Sequence, residues 1–115
     1  MVIVDSSTVR VDGTYTEPVT ETDLSELADL AYTNVYYKIA NNPAVRGPQV
    51  PASKVAGGGL INTSLLVPIA TGQKLNVAFW VTATDLSGLE GPATPTITLL
   101  VDRVAPSAPT GFTIA

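Results

Sequence analysis

The chain reads first as a set of short runs in which apolar and polar side chains alternate with a period of two. That pattern belongs to strands with one buried and one solvated face. Thr8 to Tyr15 sets Val9, Val11, Gly13 and Tyr15 on one face, with Arg10, Asp12 and Thr14 on the other. Thr33 to Ile39 sets Val35, Tyr37 and Ile39 against Asn34, Tyr36 and Lys38. Leu65, Val67 and Ile69 alternate with Leu66 and Pro68. Leu75, Val77, Phe79, Val81 and Ala83 alternate with Asn76, Ala78, Trp80, Thr82 and Thr84. Ile97, Leu99 and Val101 form another such set, and Phe112 with Ile114 marks one further short run. The residue types are those favoured on a pleated, half-buried surface. Turn signals separate the runs: Asn41-Asn42-Pro43, Arg46-Gly47-Pro48, Gly57-Gly58-Gly59, Thr71-Gly72, Ser87-Gly88 and Glu90-Gly91-Pro92. Short strands at such spacing predict an antiparallel sandwich or barrel. Only Asp23 to Ala31 has helical spacing, with Leu24, Leu27 and Leu30 behind a capping Asp23 and a Glu26 three residues on. At most one short turn is expected there. The β-rich run Tyr32 to Tyr37 disfavours a helix continuing through Tyr37.

Composition narrows the chemistry more than it narrows the fold. The 115 residues suit one domain with one core, and 45% hydrophobic with 14% charged residues is too apolar for a disordered chain. Ten Asp and Glu outnumber six scattered Lys and Arg, giving a net charge of −4. Neither a phosphate backbone nor an anionic membrane surface finds a concentrated basic patch, so no nucleic-acid or membrane partner is expected. There is no His and no Cys. Their absence removes most nucleophilic dyads, triads and zinc sites together, and no catalytic residue, cofactor or metal is assigned. Glu17, Glu21, Asp23, Glu26 and Asp29 crowd into one stretch without Lys or Arg. This is expected to be a solvated acidic loop, with a weak calcium site as the alternative, although the spacing fits no EF-hand. Asp85 is expected to hydrogen-bond the turn before Gly88. The triple glycine at 57–59 lacks the Lys-Ser/Thr and helix of a phosphate loop and reads as a connection. Asn62-Thr63-Ser64 fits a glycosylation acceptor but means little without a secretory route. Met1 to Val4 runs straight into Asp5, unlike a signal peptide, and no apolar run is long enough to span a bilayer.

Several of these motifs, in this order, resemble a fibronectin type III domain of bacterial or phage type. Gly13-Thr14-Tyr15-Thr16-Glu17-Pro18 is similar to the family's second strand, in which an aromatic precedes a proline by three. Asp29-Leu30 followed by Val35-Tyr36-Tyr37 resembles its loop and third strand. Val81-Thr82-Ala83-Thr84-Asp85-Leu86-Ser87-Gly88 resembles its sixth strand and turn. Ala105 to Phe112, with its Pro-rich lead-in, looks like the linker and first strand of a following domain. This chain departs from the pattern at Tyr15, where Trp is usual, at Gly13, usually apolar, and at Thr33, usually aromatic. The resemblance implies an all-β, seven-stranded antiparallel β-sandwich of fibronectin type III or immunoglobulin-like type over 1–103. A Pro-rich linker or tail follows over 104–115. Two readings of that tail stay open. In one, Met1–Val4 is the first strand and the tail is a linker. In the other, Gly111–Ala115 adds as a strand to a neighbouring copy or another protein.

The contact candidates follow from the alternation. If Phe79 and Val81 face the core, Trp80 faces outward, and Tyr36 does so by the same argument. The resemblance places the third, sixth and seventh strands side by side, so Leu100 is expected on the same face. Phe112 and Ile114 complete the candidate set. Partners are expected to be protein (a second copy, a capsid or tail protein, or a neighbouring domain), with surface carbohydrate as a second class. The functional expectation is a non-catalytic structural or decorating module of a bacteriophage virion. The alternative is an accessory module of a secreted bacterial glycoside hydrolase or adhesin. The expected location is accordingly virion or extracellular.

Overall fold

A computed structural model of the chain describes residues 1–114 and is all-β, built from two antiparallel sheets with no helix among those residues. The strands are β1 (Val2–Ile3), β2 (Val9–Thr16), β3 (Leu30–Ile39), β4 (Val45–Pro51), β5 (Leu60–Val67), β6 (Lys74–Asp85) and β7 (Ile97–Asp102). One sheet has the order β1-β2-β5 and the other β4-β3-β6-β7. The alternation decides which side faces in. Val9 of β2, with Leu65 and Val67 of β5, meets Val35, Tyr37 and Ile39 of β3, Val77 of β6 and Val101 of β7 in one shared core. Val9, Val67, Ile69, Val77 and Val101 are fully buried. Each contributes roughly 1.5–3 kcal/mol relative to an exposed side chain. This β-sandwich-like arrangement matches the expected fold class in its coarse form.

Two of the departures noted above meet inside it. The Tyr15 hydroxyl of one sheet lies 2.6 Å from Thr33 Oγ1 of the other. A half-buried phenol gains from a partner for its oxygen, and the hydroxyl at 33 supplies one where an aromatic ring would not. Burial raises the Tyr15 phenol above its ordinary pKa, the Thr33 hydrogen bond only partly opposing it.

The structure corrects several expectations. Arg46-Gly47-Pro48, read as a turn, lies inside β4. β4 pairs only with β3, so it is an edge strand, where a proline's missing N–H costs no ladder bond if it faces out. β5 starts at Leu60, five residues before the expected Leu65, and Ile69 falls outside it. Asp23 to Ala31 holds a turn and no helix, as expected, beside a bridge between Thr20 and Glu26, but β3 begins at Leu30, three residues before the expected Thr33. Phe112 and Ile114 belong to no strand, and Ala115 lies outside the described residues.

After β7 the chain leaves the body. Arg103 is the last anchored residue: its guanidinium donates to the carbonyls of Ile69 at 2.7 Å and Asp5 at 2.8 Å. From Val104 to Ile114 every residue is exposed, and the molecule reaches 73 Å along its long axis against 28 and 22 Å across. Pro106 and Pro109 keep such a segment extended.

Candidate contact surface

The outer face of the four-stranded sheet is set by the register of its central strands. Tyr36 lies opposite Trp80, Asn34 opposite Thr82 and Tyr32 opposite Thr84. Side chains on one face of directly opposed positions touch, and the Tyr36 and Trp80 rings stack with centroids 5.7 Å apart and planes 7° from parallel. Both rings are half-buried. Val35, Tyr37 and Val77 point the other way into the core, so these two aromatics face outward.

A turn delivers a carboxylate onto this face. Asp85 Oδ1 accepts hydrogen bonds from the Ser87 amide at 2.9 Å, the Ser87 hydroxyl at 2.7 Å and the Leu89 amide at 2.9 Å. That tight turn sends the chain back along β6, where Glu90 bridges to Thr84 and the Gly91 and Thr94 amides donate to Ala83 and Val81. Glu90 Oε2 then accepts from the Tyr36 hydroxyl at 2.6 Å, from the Thr82 hydroxyl, and from Asn34 Nδ2 at 3.4 Å. The Asn34 amide also donates to Thr82 and Thr84, and its Oδ1 accepts from Gln49 at 3.2 Å. Asn34 is thereby buried on an outer sheet face, fully satisfied as a buried amide must be. The network fixes the Tyr36 ring, and Tyr36 in turn braces Trp80.

The charges of this group follow from its hydrogen bonds. Thr82 first and Tyr36 second hold the Glu90 carboxyl below its ordinary value of 4.5, while the carboxylate raises the Tyr36 phenol. A depressed carboxyl contributes stability that is present above 4.5 and is lost as pH falls through its folded value. The emission of Trp80, the only tryptophan, is therefore expected to hold steady from neutral pH to about 5 and to change in a step below 4.5. Glu90→Gln should remove that step. A step that persists in the variant would assign it to another carboxyl.

The remaining candidates are spread out. Leu100 shares the outer face but lies opposite Asn76, four residues along β6 from Trp80, or roughly 13 Å at strand spacing. Ala78 and Thr98 stand between them, so Leu100 is not joined to the aromatic pair. Phe112 and Ile114 sit on the projecting segment, 86% and 83% exposed.

The acidic stretch is not one solvated loop. Asp23 is exposed, but Glu17 is only 2% exposed. It accepts from the amides of Ser53 and Gly59, both at 2.9 Å, and from the Ser53 hydroxyl. Burial pushes its carboxyl up, but these hydrogen bonds and the charge of Lys54 outweigh it and leave Glu17 below its ordinary value. Among the described residues no group of three or more His, Cys, Asp or Glu is placed to hold a metal ion. A cleft of about 630 Å³ opens between the end of β2 and the end of β6. Interior-facing Tyr15, Leu30, Thr33, Val81 and Ala83 line it, with Leu89 to Pro92 at its rim. No helix among the described residues is long and apolar enough to cross a membrane. No protein family, curated protein or solved structure matches this chain.

Proposed function

We propose that the chain is a non-catalytic structural and binding module of fibronectin type III-like fold, serving at a virion surface and holding a partner through the outer face of its four-stranded sheet. The observation that carries this reading is the outward Tyr36–Trp80 stack, braced by the Glu90 and Asn34 network. Rigid aromatics rimmed by polar groups give contact area at little entropic cost, and such residues dominate binding energy where they occur. The sheet orders β1-β2-β5 and β4-β3-β6-β7 support the fibronectin type III-like assignment. The acidic, Cys-free composition suits the virion setting. A second reading, an accessory module of a secreted glycoside hydrolase or adhesin, draws support from the extended segment after β7, which has the form of a connector.

The test is a titration of the full chain and of Trp80→Ala with bacterial surface polysaccharides and their oligosaccharide fragments, read by calorimetry, with Trp80 emission followed in the parent. A ligand that shifts the emission, and binds at least about tenfold more weakly to Trp80→Ala, a loss of about 1.4 kcal/mol or more, supports the contact face. A ligand bound equally well by the parent and by Trp80→Ala puts the contact elsewhere and overturns it.

A further inference from the structure

The sheet β1-β2-β5 is unfinished along one edge. β1 is two residues long and pairs with β2 only at Val9 and Arg10. Beyond that point β2 runs from Val11 to Thr16 with β5 on one side and, among the described residues, no strand on the other. An unpaired edge offers a row of free backbone donors and acceptors. The gap reaches the interior as well. The 630 Å³ cleft beside this edge is walled by Tyr15, Leu30, Val81 and Ala83, residues whose side chains point between the sheets. At Gly13, the inward position between Val11 and Tyr15, an added Cβ would meet nothing within 4 Å. What is missing is a strand of backbone plus two inward apolar side chains.

The chain carries such a segment where it cannot use it. Phe112 and Ile114 are separated by one residue, so an extended backbone turns both to one side. Both are exposed, and no charged residue lies between Val104 and Ile114. Direction also fits. The segment departs at Arg103, beside Asp5 and Ile69, at the end of the molecule where β2 begins. Travelling away from that end, it would enter a second molecule, oriented the same way, at the far end of its β2 and run antiparallel to it.

We propose that residues 111–114 of one copy add as a strand to the free edge of β2 in a second copy, so that copies join head to tail. The β1 register, extended by one residue, brings Met1 opposite Val11, so the incoming segment, entering at the Thr16 end, has room to reach Gly13. Ile114 then lies opposite Gly13 and fills the open space there. Thr113 lies opposite Thr14 and Phe112 opposite Tyr15, with both apolar side chains in the cleft. Bulky residues opposite a strand glycine recover contacts that the glycine lacks. Because the donating and accepting surfaces differ, the contact does not close on itself in a pair, and it generates open strings or rings. The inference is independent of what the Tyr36–Trp80 face holds.

The experiment uses the full chain. Sedimentation across a concentration series is expected to show species at successive multiples of 11.9 kDa, and Phe112→Asp should leave monomer alone, melting where the parent melts at concentrations too low to assemble, because Phe112 is almost wholly exposed in its own molecule. The protein has no cysteine, so paired thiols report register. Chains carrying Thr14→Cys mixed with chains carrying Thr113→Cys should form a mixed disulfide about tenfold faster or more than Thr113→Cys chains mixed with Asn42→Cys, as expected for thiols held at high effective concentration. Monomer at every concentration, or assembly that survives Phe112→Asp, would overturn the proposal. So would a Thr14→Cys/Thr113→Cys double variant that closes its disulfide within one chain.

Discussion

Replacing Glu17 with alanine is expected to cost about 3 kcal/mol of stability and roughly 15 °C of melting temperature, since each kcal/mol shifts a domain of this size by several degrees. The carboxylate sits just beyond the end of β2 and accepts two amides and a hydroxyl from the loop between β4 and β5, at Ser53 and Gly59. Alanine leaves those donors facing a vacated site. An unsatisfied buried donor costs roughly 1–3 kcal/mol, discounted where water reaches the loop. Glu17→Gln keeps an acceptor oxygen but turns an N–H₂ toward a donor, so an intermediate loss of about 1–2 kcal/mol is expected. The pH dependence separates this from simple truncation. With its folded pKa held below 4.5, Glu17 contributes stability that is present above 4.5 and vanishes as pH falls through the folded value. Urea melts at pH 7 and at about pH 3 should therefore differ less for Glu17→Ala than for the parent chain. Equal losses at both pH values would show that the carboxylate's charge contributes nothing.

Glu17 also marks where the sequence stops being legible. β2, β3, β6 and β7 stand out because each alternates in β-branched and aromatic residues, and the inward set of each supplies the core, although Ile97 at the start of β7 stays exposed. The outward direction of Tyr36 and Trp80 follows from the same period. β4 does not stand out, because Pro48 and Pro51 are turn-formers everywhere except on an edge, and whether a strand lies at an edge is a property of the sheet. The first half of β5 is hidden by Asn62-Thr63-Ser64, whose polar side chains look like a loop until Thr14, Gly13 and Asp12 are set opposite them. Local pattern carries nothing about partners far away in the chain. Glu17 meets Ser53 36 positions later, and Asn34 meets Thr82 48 positions later. Burial of a carboxylate or an amide depends on such partners. A segment such as 111–114, whose partner is argued to lie in another molecule, is legible only as alternation without a core.

The largest loss from adding a single methylene's worth of bulk is expected at Gly57, where Ala should cost about 3 kcal/mol or more. Two effects add. Gly57 holds φ at +68°, a left-handed conformation that costs an L-residue roughly 1–2 kcal/mol. Its new Cβ would also lie 1.9 Å from the carbonyl oxygen of Pro18, a backbone atom that cannot rotate away. Relief requires moving either the 53–59 loop or the chain leaving β2, and both are tied together by Glu17. Gly72→Ala is the control. It shares the conformation, with φ at +90°, but its Cβ would meet nothing within 4 Å, so only the conformational part, about 1–2 kcal/mol, is expected. Equal losses at the two positions would mean that the contact with Pro18 relaxes freely. A larger loss at Gly57, shrinking when Glu17→Ala is combined with it, would show that the clash is enforced by the carboxylate that clips this loop to β2. Residues in one network couple in this way. The same clip holds the end of β2 whose free edge and cleft are open to a second strand. Loosening it is therefore expected to weaken head-to-tail assembly along with the fold.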